Sequence, residues 1–475
     1  MKNATLFLSF FICFQTAFSQ EKVASFNPNN NESKSVFTIV NEATKTATLF
    51  YSDKKSITTF QFNDAFILKD SLHIDYSSKE LDDILGYSNS NNKYYLYWSS
   101  KKDNEIVTQC FDFNDNKVIS SKAVFDIGKE KIIDKITVNN TFYIVTVLKN
   151  TSILNFYCFS DGKIDKKTID CSESKFVDNE NNEVSFWKLY DEFSETVYYN
   201  GITNILQETP ASLVMSTAKK KAYIYNNSLI FTFDANRAFT QTLTINLSDF
   251  TFSQKSYRLP FIQKTAYNII DSNSFFINGN FIQIKMDPSV FYITVKDIEG
   301  KEIKNLVLYP DKEIEFKNSD ILQENGGIKS TRVLDTSNHF LKKTNNLNSS
   351  VSCYYNNDTY NLVLGGVSYP QQTVNYGGMF GLIGSLIGSA IIANFSINNV
   401  NSYANKKVVY INCLFDKNFN HLNRYATKLA FDKLRLFNEE NDKLINQTIF
   451  KLNSVLYMGG YKKETKEYSF YKFED

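Results

Sequence analysis

The sequence predicts an all-β protein assembled from repeated small antiparallel units. Three observations point there. Phe (41) and Tyr (29) are abundant while Gly (17) and Pro (6) are scarce, a balance that suits pleated, half-buried strands better than helices. Short apolar stretches alternate with polar turns along most of the chain. Seven times, a short apolar strand, a polar turn and a second alternating strand follow one another.

Taken in order, residues 1–19 have the layout of an export signal. Lys2 precedes an apolar stretch from Leu6 to Phe14, and the small residues Ala17 and Ser19 are spaced as a processing site before Gln20. Ile12 stands before Cys13 where a lipoprotein signal needs a small residue, which speaks against a lipid anchor. The expected destination is the periplasm, the outer-membrane surface or the medium of a bacterial cell. With 52 basic and 51 acidic residues, no net field draws the chain to nucleic acid or to an anionic membrane.

Residues 20–35 read as an N-terminal extension, and the repeating region as residues 36–475. Its units pair Phe37 to Val40 with Ala47 to Tyr51, Tyr94 to Trp98 with Ile106 to Phe113, and Phe142 to Leu148 with Ile153 to Phe159. They continue as Leu229 to Phe233 with Leu243 to Leu247, and Phe281 to Lys285 with Phe291 to Val295. The sixth joins Tyr360 to Leu364 with Val408 to Phe415 across an insertion, and the last joins Val455 to Met458 with Tyr468 to Phe473. Several second strands run into a turn opened by Asp112, Asp161-Gly162 or Glu299-Gly300, the chemistry that joins antiparallel neighbours.

Cys158 and Cys413 each stand three residues before a turn-opening Asp, and Cys110 stands two before Asp112, which points to equivalent buried strand positions. Together with Cys171 and Cys353 they show none of the spacings of a disulfide framework or zinc site, so mostly buried thiols are expected, with room for one bridge.

Units of this size cannot bury both faces alone and must stack on neighbours. Radial stacking of about seven units resembles a β-propeller over residues 35 to 475, and a strand from the N-terminal region would complete the short last unit. The resemblance is one of architecture. There is no Trp-Asp blade ending, no kelch Gly-Gly pattern and no Ser-x-Asp-x-Gly-x-Thr-Trp box. Tandem β-sandwiches would give the same alternation.

Segments that break the period are where function is most readily grafted. Insertions fall at 172–211, 311–327 and 369–407. The first contains the acidic stretch Asp178 to Glu183 and an aromatic run through Phe186, Trp187, Tyr190, Tyr198 and Tyr199, which could stack on a sugar or peptide or simply fill core. The second, Asp311 to Gly327, is charged and reads as exposed. A fourth irregular stretch, Ala426 to Asn446, fits a helix or a long strand pair.

The third insertion is the most unusual. No charge occurs between Asp358 and Lys406, and small residues recur every fourth position at Gly377, Gly381, Ser385, Ser389 and Ala393, with Gly384 and Gly388 in a second row. On a helix these make a smooth face resembling the glycine zippers of membrane-associated helices. Each interior Gly costs about 1 kcal/mol relative to Ala, so packing must compensate. Its length would allow a bilayer crossing, but flanks that pair in one sheet must lie on one side, so a helix or hairpin buried against the body of the fold or in its central funnel is expected rather than a span. Contact with an envelope partner, a second copy or a membrane surface is the alternative, and makes this segment the leading contact element.

Catalytic signals are thin. His73, His339 and His421 lack metal-ligand spacing, and no nucleophile elbow, P-loop or dinucleotide fingerprint appears. The carboxylate pairs Asp82-Asp83, Asp191-Glu192 and Glu439-Glu440 are the sort a glycosidase needs, and Asp178, Glu180 and Glu183 lack a calcium-loop spacing. Gly365-Gly366 and Gly459-Gly460 follow equivalent strands and read as bulges or close strand approaches. The sequence therefore assigns no catalytic, metal or cofactor residue. It favours a non-enzymatic binding or scaffolding protein of the cell envelope over a glycan- or peptide-acting hydrolase or a purely structural repeat.

Overall fold

The repeat units of the sequence are strand pairs of the fold. A computed structural model describes residues 21–28, 35–53, 55–76, 81–100, 104–191, 201–264, 269–368 and 397–475. Among these residues are seven sheets of four or five strands and one two-stranded ribbon. Neighbouring strands are antiparallel except Thr203–Ile205, which lies parallel to Lys220–Tyr225. Six of the seven pairs read from the sequence are the second and third strands of their meander, and the first is slipped to the first and second strands, Ser35–Asn41 and Thr46–Ser52.

Asparagine sets the registers. The first and second strands of the second to seventh sheets are joined by two-residue turns: Asn91-Asn92, Asn139-Asn140, Asn226-Asn227, Asn278-Gly279, Asn357-Asp358 and Asn453-Ser454. Both residues of each turn have positive φ. Such turns match the right-handed twist of the flanking strands, and Asn tolerates the left-handed region better than other side chains. The next turns on the same end are closed by side chains: Asp112 accepts from the Asn114 amide, Asp297 from Glu299 and Lys301, and Asp416 from Asn418 and Asn420.

Aromatic rings join consecutive sheets. Phe50 meets Phe111 edge-on at 5.3 Å between the first and second, and Tyr97 lies 4.9 Å from Phe159 between the second and third. Phe156 meets Phe250 at 5.5 Å between the third and fourth, and Tyr257 meets Phe281 at 4.3 Å between the fourth and fifth. The seventh sheet packs on the first through Phe62 and Phe470 at 5.3 Å and Phe66 and Tyr457 at 4.6 Å. Its outer strand is Glu21–Phe26, paired antiparallel to Glu467–Phe473, so a strand from the beginning of the chain completes the last sheet, as the short final unit required.

Lys221 and Asp234 form a fully buried pair 2.8 Å apart where the fourth sheet meets the fifth. Lys221 also donates to Asn273, and Asp234 accepts from Ser274 and Thr240. Every charge is thus matched, which a buried pair requires to avoid a large desolvation penalty.

Several expectations are refined. Ile321–Asn325 is a strand paired with Lys407–Asp416, and Ile314, Phe316 and Glu324 are buried, so the end of the 311–327 segment belongs to the sixth sheet, while Asp311, Lys312, Glu313 and Glu315 are exposed as the sequence suggests. Ala430–Glu440 is a helix, as is Phe186–Asp191 within the aromatic run. The Gly pairs mark close approach: a Cβ on Gly365 would sit 1.9 Å from the Val409 carbonyl, and one on Gly459 2.6 Å from the Tyr468 hydroxyl. The ladder to Lys407–Asp416 is unbroken at Gly365-Gly366, whereas Gly459-Gly460 lies opposite a register shift between Ile445 and Thr448, so close approach holds at both pairs and a bulge only at the second.

Cys110, Cys158 and Cys413 occupy the third strands of their sheets, and no cysteine of the repeating region is in a disulfide. Among the described residues no helix is long and apolar enough to cross a membrane.

Phe26 touches Phe60, Phe62, Tyr468 and Phe470. Phe26→Ala is expected to cost about 2 kcal/mol in urea-induced unfolding, below the range for a fully buried Phe because the ring is half-exposed. An unchanged midpoint would place the strand outside the cooperative unit.

Candidate functional site

The irregular segments converge where the sixth sheet meets the seventh. Between the first and fifth sheets in succession, and between the seventh and the first, aromatic side chains of adjacent sheets touch directly. Here the helix Ala430–Glu440 packs on the seventh sheet through Leu434 and Phe437, against Ile449, Met458 and Phe473. Leu213, Val367, Tyr403 and Val408 form a second small core on the face of the sixth sheet. The seam is therefore wide and holds three layers of irregular chain.

A buried ion pair holds it. Arg435, on the inserted helix, lies 2.9 Å from Glu324 on the sixth sheet, with side chains 8% and 1% exposed. Tyr410 donates to the second Glu324 oxygen at 2.8 Å, and the guanidinium stacks over Tyr403 at 4.2 Å. The Tyr403 hydroxyl accepts from the Leu213 amide, while Asn399 accepts from Ser212 and donates to the Pro210 carbonyl. The backbone of residues 210–213 is thus tied to the short helix Ile397–Val400 and the turn that follows it.

The Gly-rich residues Gly377, Gly381, Gly384, Ser385, Gly388, Ser389 and Ala393 lie outside the described residues, but the strands before and after them are described. Thr359–Val367 and Lys407–Asp416 pair without interruption up to Val367 opposite Val408. Beyond that pair, the Ser368 amide donates to the Lys407 carbonyl at 2.9 Å and the Lys407 amide to the Ser368 hydroxyl at 3.0 Å. The chain therefore leaves the sixth sheet after Ser368 and re-enters it at Lys407 at the same end, having passed through the helix Ile397–Val400.

At the opposite end of that sheet is a cavity of about 360 Å³, lined by Glu208, Tyr354, Lys451, Asp475 and the Asn356-Asn357 turn, among others. Alternate residues of Asn348–Asn356 explain its position. Ser350 and Ser352 donate to the carbonyls of Leu213 and Ala211; Tyr354, next on that face, reaches the cavity instead. Sequence reasoning missed Tyr354 and Glu208, for which only the neighbouring Asn356-Asn357-Asp358 turn offered a signal.

Of the stacking candidates, Phe186 is buried against Phe176 and Phe233. Trp187 and Tyr190 carry the Lys131 ammonium over their rings at 5.3 and 5.0 Å, and Lys220 lies 4.8 Å from the Tyr190 ring. Tyr198 and Tyr199 lie outside the described residues.

Next to Tyr190 is a buried carboxyl. Asp134 Oδ1 accepts from Asn204 Nδ2 at 2.7 Å and from the Lys135 amide at 2.8 Å, whereas Asp134 Oδ2 and Asn204 Oδ1 have no partner. Burial pushes the Asp134 carboxyl up to about 6 against the pull of those bonds. Once protonated, the carboxyl is the donor that both orphan oxygens lack.

Asp178 is a turn former. Its carboxylate accepts from the backbone of Asn182 and Glu180 and pairs with Lys188, and the Asn182 bond foremost holds its carboxyl down at about 2. Among the described residues no cluster of His, Cys, Asp and Glu could hold a metal ion. His73 bonds Thr58 across two strands and His421 bonds Asn318.

No protein-family model and no curated protein matches the chain. Among solved structures, prolyl oligopeptidase B from Galerina marginata is 9% identical with a TM-score of 0.32, over 90% of this chain and 46% of that one. This chain therefore spans less than half the length of that enzyme. Hydrazine synthase from Kuenenia stuttgartiensis is 7% identical with a TM-score of 0.29, over 96% and 98% of the two chains. A Synechocystis apocarotenoid oxygenase variant is 6% identical with a TM-score of 0.29, over 58% and 62%. Overlap at this level carries no argument about activity.

Arg435→Ala leaves Glu324 buried without its counter-charge and is expected to cost about 3–5 kcal/mol in urea unfolding; a loss near zero would remove the pair from the seam's support. Asp134 has a second, pH-dependent consequence. Its folded value exceeds the 3.8 of a free aspartate, so its contribution is fully present below that pH and is lost as pH rises through about 6, by up to ~3 kcal/mol. Asp134→Asn should therefore raise the thermal midpoint at pH 7.5 and leave it nearly unchanged at pH 4, and equal shifts at both would refute the assignment.

Proposed function

We propose that this protein is an exported, non-enzymatic binding or scaffolding component of the bacterial cell envelope, folded as a seven-bladed β-propeller with its Gly-rich segment as the contact element. The observation that carries the reading is the anchorage of residues 369–396. The chain before this uncharged segment ends a strand of the sixth sheet, the chain after it forms the helix Ile397–Val400 and re-enters the neighbouring strand at Lys407, and this returning chain is clamped by Asn399 and Tyr403. A long uncharged segment displayed from a rigid scaffold is the arrangement in which binding elements recur.

The order of packing supports the blade count: the seventh sheet lies on the first, the sixth and seventh are joined through the Ala430–Glu440 helix, and a strand from the start of the chain completes the last sheet. Propellers close by this kind of strand exchange, which removes exposed sheet edges. The layout of residues 1–19 supports export. The partner would be another envelope protein, a second copy or a membrane surface.

Affinity capture from envelope extracts, with the full chain and with residues 375–396 deleted, tests the reading. The deleted protein is expected to remain folded and soluble and to lose its specific partners. Identical partner sets overturn the assignment, and loss of folding assigns the segment to the core.

A further inference from the structure

The cavity at the other end of the sixth sheet has a chemistry of its own. Its floor is apolar, made by Ala430, Phe431, Leu456 and Phe473, and its rim carries three acids, Glu208, Glu474 and Asp475, against one cation, Lys451. That cation is occupied, since Lys451 donates to the Glu208 carbonyl at 2.9 Å. Glu474 is paired with Lys472, and Asp475 accepts from the Ala430 amide and Asn356. The Glu208 carboxylate is exposed and has no partner among the described residues.

Tyr354 supplies an independent pointer. It is only 8% exposed, yet it lines the cavity and its hydroxyl has no hydrogen-bond partner among the described residues. Burial first, then the charges of Asp475 and Glu208, push its phenol up to about 12. The hydroxyl therefore stays protonated and keeps both a donor and acceptor lone pairs for a ligand.

We propose that this cavity binds a cationic group, an ammonium or guanidinium, between the Tyr354 hydroxyl and the Glu208 carboxylate. An anion would meet three carboxylates and a committed lysine. A cation gains a charge-assisted bond to Glu208 and an acceptor in Tyr354, and a volume of about 360 Å³ admits one such group with its alkyl stem over the apolar floor. The source is either a basic side chain of a peptide or a free polyamine. Because the cavity and the paired strand ends Val367 and Val408 lie at opposite ends of the sheet, this site stands apart from the envelope-contact reading.

Isothermal titration of the full chain with an acetylated, amidated tetra-arginine peptide, with spermidine and with maltotriose tests it. Binding of the peptide, the polyamine or both is expected. It should weaken as salt is raised and fall about tenfold or more in Glu208→Gln and in Tyr354→Phe, whose thermal midpoints should match the parent. Peptide binding without spermidine binding names a protein partner, and the reverse names a free polyamine. No binding of either cation, undiminished binding in both variants, or a preference for maltotriose overturns the proposal.

Discussion

A four-stranded sheet of this chain has two faces to cover and too few residues to cover either. Val36, Ala47 and Leu49 belong to one core with the seventh sheet, while Phe37, Ile39 and Phe50, on the other face of the same strands, belong to a second core with the next sheet. Every sheet is in this position, so none can be stable alone, and burial is completed only by neighbours on both sides. Large aromatic side chains suit the task because one ring spans the gap between twisted sheets and buries a large area for few torsions.

The sixth and seventh sheets depart from that rule, and the departure creates the sites. Their gap is filled by a helix, a returning chain and residues 210–213 instead of facing rings. Irregular backbone inside a protein must find partners for its polar groups, and the Arg435, Glu324, Tyr410 and Tyr403 group with Asn399 supplies them. A seam built from polar parts is less completely filled than one built from rings, so the cavity beside Tyr354 lies here.

Buried charge elsewhere follows the same economy. Lys221 with Asp234, and Arg435 with Glu324, are paired and further hydrogen-bonded, as desolvation demands. Asp134 is the contrast: one oxygen is bonded and the other has no partner among the described residues, and burial raises the pH at which the carboxyl takes up its proton to about 6. No sequence pattern separates these carboxylates from the many solvated ones, since what distinguishes them is the wall of chain brought against them from distant positions.

The sequence by itself determined the strand pairs, because each inner strand is apolar enough to read and period-two alternation is a local property. It also marked the turns, where Asn-Asn, Asn-Gly and Asp-Gly answer the left-handed backbone that a tight hairpin needs. First strands escaped the reading in six of the seven sheets, while the largely exposed and polar strands Lys117–Val124 and Lys163–Asp170 were marked only by the turns that precede them. The tertiary structure alone decided that 321–325 joins the sixth sheet and that Tyr354 and Glu208 share a cavity. It also placed the strand 21–26 beside 467–473. These juxtapositions join residues far apart in the chain, and no local periodicity carries information about which distant faces must cover one another.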